Sequence, residues 1–246
     1  MSKVISIAIP HYNNAKFMTE TLEHIVDDVR VAEIIICDDC SNDIEILESL
    51  IKKINNDKIT LFKNEKNIGC YHNKLHTLTK CNHDWVILLD SDNIINKEYI
   101  DTLFSIETWN NTLIYAPVWA KTFPQKSEIL NYSKFKNQHI DHTNYLNNFN
   151  DIVFKCLINN CNYFIPVKPY LQVMNKYTYK REIIDALDSA VLFTDWLCDK
   201  NKVFVVENLT YSHRLHSNSN YTLSPSKKYT NLVENNLISK IESLNK

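Results

Sequence analysis

Two aspartates one residue apart, Asp90 and Asp92, follow directly on the apolar run Trp85–Leu89. Asp38 and Asp39 follow a second apolar run, Glu33–Cys37, and Pro10, His11, Tyr12 and Asn13 follow a third, Val4–Ile9. Carboxylates gathered in one place raise each other's pKa unless a cation or hydrogen-bond donors intervene. Hard carboxylate oxygens suit Mg2+ or Mn2+, ions held by one or two carboxylates together with substrate phosphates and water. Asp90-Ser91-Asp92 is therefore a candidate site for a metal diphosphate. The same triplet also fits a solvated turn in which an aspartate caps the next helix, and on residue types alone both readings stand.

Bringing such groups together takes a regular scaffold. Val4–Ile9 is β-prone, and Ala15–Val29 carries Phe17, Met18, Leu22, Ile25, Val26 and Val29 at helical spacing. Glu33–Cys37 predicts a second strand, Ile44–Ile54 a second helix and Ile59–Phe62 a third strand. A helix over Cys70–Lys80 and a strand over Trp85–Leu89 follow. The alternation predicts right-handed crossovers and an α/β fold: a single doubly wound, mainly parallel, Rossmann-like sheet flanked by helices. Ligands of such sheets bind beyond the carboxyl ends of the strands, so the three polar strand ends should share one cleft.

After Asp92 the rhythm weakens. A helix over Glu98–Ile106 and a strand over Thr112–Pro117 precede an aromatic-rich polar stretch, through Asn150, that shows no clear pattern. A strand near Asn162–Val167, a helix within Ile183–Leu197, a strand over Lys202–Val206 and the segment YSHRLHSNSNY complete the body. These limits predict one domain over 1–225, with a first half to 117 and a second from 118, then a polar, weakly helical tail over 226–246.

Composition narrows the function. A chain of 246 residues, 44% hydrophobic, can bury one sizeable core. With a formal net charge of -2 and interspersed charges it lacks the basic stripe that nucleic acid requires. No apolar run approaches a transmembrane segment, and MSKVISIAIPHYNN reads as a first strand rather than an export signal. Seven scattered cysteines fit reduced thiols in the cytoplasm. Cys37 and Cys40 form a C-x-x-C, but no second pair completes a zinc site, so two ordinary cysteines at a strand end is the simpler reading. Gly69, the single glycine, excludes both G-x-G-x-x-G and G-x-x-x-x-G-K-[ST], since each needs several glycines to approach phosphate.

Four segments, SIAIPHYNN, EIIICDDCSND, KNEKNIGCYHNKL and WVILLDSDN, stand in an order and spacing that resembles the family 2 glycosyltransferases of the GT-A fold. The resemblance covers about the first 115 residues well and the rest more loosely. It implies a metal-dependent, inverting transfer of sugar from a nucleotide-diphosphate donor, UDP-linked by preference, to a hydroxyl of a glycan or other acceptor. By resemblance, Pro10 and Tyr12 line the base and Asp39 hydrogen-bonds it. Asp90, with Ser91 beside it, sits by the ribose or a metal-bound water, and Asp92 ligates Mn2+ or Mg2+. Lys74 falls where many members carry arginine; it offers the nucleotide a charge without the bidentate fork. A solvated helix lysine is the alternative.

The family also places an acidic residue at the start of a late helix, which here implies Asp188 as the catalytic base, with Asp195 as the alternative. The family's frequent Glu-Asp pair is Leu187-Asp188 here. The H-R-x-H-x-x-S run resembles the region where a late histidine completes the metal shell, implying His213, with Arg214 or His216 on phosphate. Trp109, Tyr115, Trp119, Phe123, Tyr163, Phe164 and Tyr170 divide between core and an acceptor platform. Three rivals remain on sequence grounds. An aspartate-nucleophile phosphatase would need a later glycine-aspartate pair, and a nucleotidyltransferase a glycine-rich loop. The third is a non-catalytic sugar-nucleotide-binding protein.

Overall fold

Runs dominated by Ile and Val form the strands nearest the paired aspartates, as their branched side chains fit a sheet covered on both faces. The structure, a computed structural model, describes residues 3–217, 219 and 223–246. Strands β1 (Ile5–His11), β2 (Val31–Asp38), β3 (Ile59–Lys63) and β4 (Trp85–Leu88) lie parallel in the order β3-β2-β1-β4. Ile5, Ile7, Ile9, Ile34 and Ile36 are fully buried. Order reverses between β1 and β4, the switch point at which a crevice opens beyond the strand ends.

Helices α1 (Met18–Glu23), α2 (Ile44–Ile54) and α3 (Cys70–Thr79) connect these strands, and α4 (Lys97–Ser105) follows β4. The helix expected over Ala15–Val29 is reduced to a 3-10 turn at Ala15–Phe17 and the short α1. Its second half gives way because Asp28 folds onto Arg30, accepting from its amide and guanidinium, while Lys58 Nζ takes the carbonyls of Val26 and Asp28.

The second half continues the same sheet. Strands β5 (Leu113–Phe123), β6 (His139–Ile140), β7 (Tyr163–Pro166) and β8 (Lys202–Arg214) give the full order β3-β2-β1-β4-β7-β5-β8-β6. β7 runs antiparallel to β4 and β5, β8 is parallel to β5, and β6 is antiparallel to β8. β5 and β8 both extend well past their expected ends and pair along their length, with an irregularity between Pro117 and Trp119. That extension makes Tyr211–Arg214 the end of a strand and brings Ser212 into a bridge with Ile94, just after Asp92.

The unpatterned stretch to Asn150 holds the end of β5, a 3-10 turn at Ser133–Phe135, β6 and one helix, α5 (His142–Asn148), and α6 (Ile152–Ile158) follows it; Asp141 and Asp151 cap the two helices. α7 (Val167–Met174) follows β7 without a break and was not expected. The helix expected within Ile183–Leu197 is two, α8 (Arg181–Ile184) and α9 (Asp188–Cys198), and Asp188 is the first residue of α9. The tail forms α10 (Thr230–Leu244) and buries Val233, Leu237 and Ile241 at i, i+4, i+8 against α5 and α9. It belongs to the packed body.

Most of the aromatic group is core: Tyr115, Tyr163, Phe164 and Tyr170 are buried, and Trp109 packs edge-on against Phe164. Among the described residues no helix is long and apolar enough to cross a membrane.

Candidate active site

The ends of β1 and β2 are fastened by a buried pair. His11 Nδ1 lies 2.8 Å from Asp38 Oδ1. The Asn14 amide donates to His11 Nε2, so the ring proton is on Nδ1 and is given to Asp38. Burial opposes ionisation of Asp38, but bonds from His11 and Ser41 outweigh it and hold its carboxyl below the ordinary range. Asp38 is therefore a structural tie.

Asp39 shapes the next turn. Its Oδ1 accepts from Asn64 Nδ2 at 2.9 Å and the Ile68 amide at 2.8 Å, and its Oδ2 from the Gly69 amide at 2.9 Å. Gly69 sits at φ 90°, ψ 160°, a conformation reserved for glycine. A Cβ there would lie 2.6 Å from Cδ and Nε of Arg181. The sole glycine is thus fixed by backbone and by contact. The turn starts α3, which Asn73 holds to β2 by donating to the Cys37 carbonyl at 2.9 Å.

One turn into α3, Lys74 points inward, 3% exposed. Its Nζ lies 2.6 Å from Asp188 Oδ2, 2.9 Å from Ser189 Oγ and 3.7 Å from Asp90 Oδ1. Burial disfavours the ammonium, but Asp188 and, more weakly, Asp90 hold its pKa well above the lysine norm. Asp90 is pushed up to about 6, by burial first and then by Asp92 and Asp188, with Lys74 opposing. Asp188, the first residue of α9, also receives the positive end of that helix.

Asp92 Oδ2 accepts from His216 Nε2 at 2.8 Å. His213 Nδ1 lies 3.3 Å from Tyr211 Oη; burial, with help from His216 and against Asp92, lowers its pKa and favours the neutral ring. Arg214 lies between the rings of Phe17 and Phe123, 4.4 Å from each, and donates to the Asp92 carbonyl and to Glu20. Its guanidinium buttresses the D-x-D loop. Ser91 is buried and accepts from Asn14 Nδ2. Among the described residues no group of three or more His, Cys, Asp or Glu side chains is placed to hold a metal ion.

Pro10, Tyr12, Asp39, Lys74, Asp90, Ser91, Asp92, Asp188, His213 and Arg214 all line one cleft of about 290 Å³. Asp195 does not reach it. It is fully buried between Tyr179, which donates to both its oxygens at 2.8 and 2.7 Å, and Lys240 Nζ at 2.5 Å. Arg181, Asp185, Ser189, Asn159 and Asn160 also line the cleft and carry no local motif. Only packing brings them in: Arg181, for one, bonds the Asn67 carbonyl and Asp185 while covering Gly69. The Asn218, Asn220 and Tyr221 part of the histidine-rich segment lies outside the described residues. Cys37 is buried and its thiol is pushed up to about 11, which agrees with an inert cysteine.

A second cavity, about 550 Å³ and lined by Leu130, Tyr132, Phe149, Ile158, Leu187 and Ala190 among others, meets the cleft at Asn159, Asn160 and His213.

Comparisons with known proteins give a family and a fold. Residues 6–163 match the family model described as glycosyl transferase family 2. Glycosyltransferase GlyG of Streptococcus pneumoniae serotype 4 (strain ATCC BAA-334 / TIGR4) is 30% identical over 107 residues, 42% of this chain. The match spans only 35% of that relative's length. Among solved structures, S. aureus TarS 1-349 in complex with UDP-GlcNAc aligns over 97% of this chain and 71% of its own, with TM-score 0.72 and 16% identity. GalNAc-T7 with UDP, GalNAc and Mn2+ aligns over 94% of this chain and 47% of its own, with TM-score 0.65 and 14% identity. With the family model covering most of the sheet and the whole-chain likeness fixing the GT-A fold, the chain belongs to glycosyl transferase family 2.

Proposed function

We propose that the protein moves a sugar from a nucleotide-diphosphate sugar, UDP-linked by preference, to a hydroxyl of a glycan or other acceptor, inverting the anomeric carbon. The observation that carries the reading is the cleft itself: Asp188 opens α9 opposite the Asp90–Asp92 loop, with Lys74 between them. Family membership sets the phosphatase alternative aside. Seven free cysteines fit a reducing compartment such as the cytoplasm.

Pro10 and Tyr12 flank the base. Asp39, already bonded to three donors, keeps an acceptor position for a base N–H. Asp188 takes the acceptor's hydroxyl proton as the oxygen attacks the anomeric carbon, and the bond to the diphosphate breaks with its electron pair leaving on phosphate. The residues present offer donor atoms suited to a divalent ion, although among the described residues no three of them stand together as a ligand set. Asp90 and Asp92 offer hard oxygens, and His213 a ring kept neutral. Asp92 with Asp90 and His213 would hold Mn2+ or Mg2+, which when bound neutralises charge developing on the departing diphosphate. Solved relatives carrying UDP, UDP-GlcNAc and Mn2+ support this choice. The second cavity, lined by Leu187 and Ala190 and meeting the cleft at Asn159, Asn160 and His213, is where an acceptor would lie.

The test is calorimetric titration with UDP, GDP and dTDP in Mn2+ or Mg2+, and turnover of the corresponding sugars. UDP binding that requires the ion, is lost in Asp92→Ala and survives in Asp188→Ala without turnover is the expected result. Absence of sugar-nucleotide binding, or turnover indifferent to both ion and Asp92, would overturn the reading. Full turnover in Asp188→Ala would remove only the base assignment.

A further inference from the structure

The cleft holds the proposed base in an ion pair, which is a poor arrangement for proton abstraction. Lys74 Nζ is 2.6 Å from Asp188 Oδ2, and both side chains are nearly sealed from solvent. An ammonium at that distance covers the carboxylate oxygen that an acceptor hydroxyl would have to approach. The same Nζ is 3.7 Å from Asp90 Oδ1, so it stands between the base and the loop assigned to the diphosphate. The two other Lys or Arg side chains lining the cleft among the described residues are held elsewhere. Arg214 is stacked between Phe17 and Phe123 and bonded to Glu20, and Arg181 is bonded to Asn67 and Asp185. Lys74 is the cation positioned to change partners.

We propose that Lys74 exchanges Asp188 for the diphosphate of the bound sugar nucleotide, so that the base is released only when the sugar to be transferred is in place. The inference rests on the sugar-nucleotide reading above and assigns Lys74 as a positioning residue acting through Asp188. Lysine suits this exchange. Its ammonium is a point charge on a flexible stem with three rotatable donors, whereas a guanidinium would be locked in a planar fork on one carboxylate. Asp188 and the diphosphate then compete for one cation, and that competition is measurable without any acceptor.

The experiment is calorimetric titration of UDP and of uridine, in Mn2+, into the wild type, Asp188→Asn, Lys74→Met and the double variant. Asp188→Asn should bind UDP about tenfold tighter, equivalent to about 1.4 kcal/mol, because Lys74 no longer has to leave a partner. In the Lys74→Met background the same change should leave UDP affinity nearly unaltered, and uridine, which lacks phosphate, should respond to none of the variants. Lys74→Gln, which keeps a hydrogen-bond donor toward Asp188 and Ser189, replaces Lys74→Met if thermal melts show that the latter does not fold. Equal tightening with and without Lys74 would reduce the effect to the general field of Asp188 and overturn the proposal, as would no tightening at all. Failure of the wild type to bind UDP would instead overturn the sugar-nucleotide reading, and the inference with it.

Discussion

Replacing Lys240 by methionine should destabilise the protein strongly while leaving the cleft's chemistry intact. Asp195 is fully buried in α9, and among the described residues its charge is met by Lys240 from α10 and the Tyr179 hydroxyl, with Lys240 bonded also to that hydroxyl. Methionine keeps the stem that packs over Tyr177 but removes the cation. Breaking a buried pair from one side costs about 3–5 kcal/mol, and because the Lys240 side chain is 29% exposed the lower end, about 3 kcal/mol, applies. For a chain of this size that is a fall in Tm of roughly 6–12 °C. The penalty also has a pH signature. Burial already raises the Asp195 pKa against the opposing effects of Lys240 and Tyr179, and losing Lys240 raises it further. A carboxyl with a raised folded pKa is favoured below its unfolded value and loses that stability as pH rises through the folded value. The gap between variant and wild type should therefore be widest at neutral pH and narrow toward pH about 4. Thermal melts at several pH values measure this, with Lys240→Met/Asp195→Asn expected to recover most of the loss. An unchanged Tm in Lys240→Met would refute the argument. So would an Asp195→Asn variant that melts normally yet loses UDP-sugar turnover, since Asp195 would then act in the cleft.

Gly69→Ala should cost about 1–3 kcal/mol from its backbone conformation alone, and displacement of Arg181 should weaken UDP binding further; melts and calorimetry read the two effects. Asp38→Ala strips the buried His11 and the Ser41 amide of their acceptor and should cost about 1–3 kcal/mol in urea denaturation at pH 7. Because the folded Asp38 pKa is depressed, that difference should be present above pH about 4 and close as the pH falls through the folded value. Arg214→Lys, losing the two-ring stack and the fork, should raise the Mn2+ concentration needed for half-maximal UDP binding while leaving Tm within about 3 °C. No change in that Mn2+ requirement would show that the loop holds its shape without the guanidinium.

The first four strands and the cleft they build were legible because each signal is local. A run such as SIAIP or EIIIC has few conformations open to it, and the polar residues ending it must lie at the carboxyl edge of a parallel sheet. Pro10, Tyr12, Asp39, Asp90, Ser91 and Asp92 reach one cleft for that reason. The single glycine was legible as an exclusion, but not as a necessity imposed by Arg181 more than a hundred residues away.

What only the tertiary structure decided are the long-range pairings. Lys74 meets Asp188 across 114 positions, Arg214 meets the Asp92 loop across 122, and Asp195 turns from the cleft to meet Lys240 on a helix that read as a polar tail. Periodicity records which face of an element is apolar; it does not record which distant charge that face will encounter. Residue type and spacing therefore determined the sheet, its edge and the acidic character of the cleft. The folded chain decided which charges are tied to one another and which remain to meet a ligand, because a buried charge takes the partner that packing brings within reach.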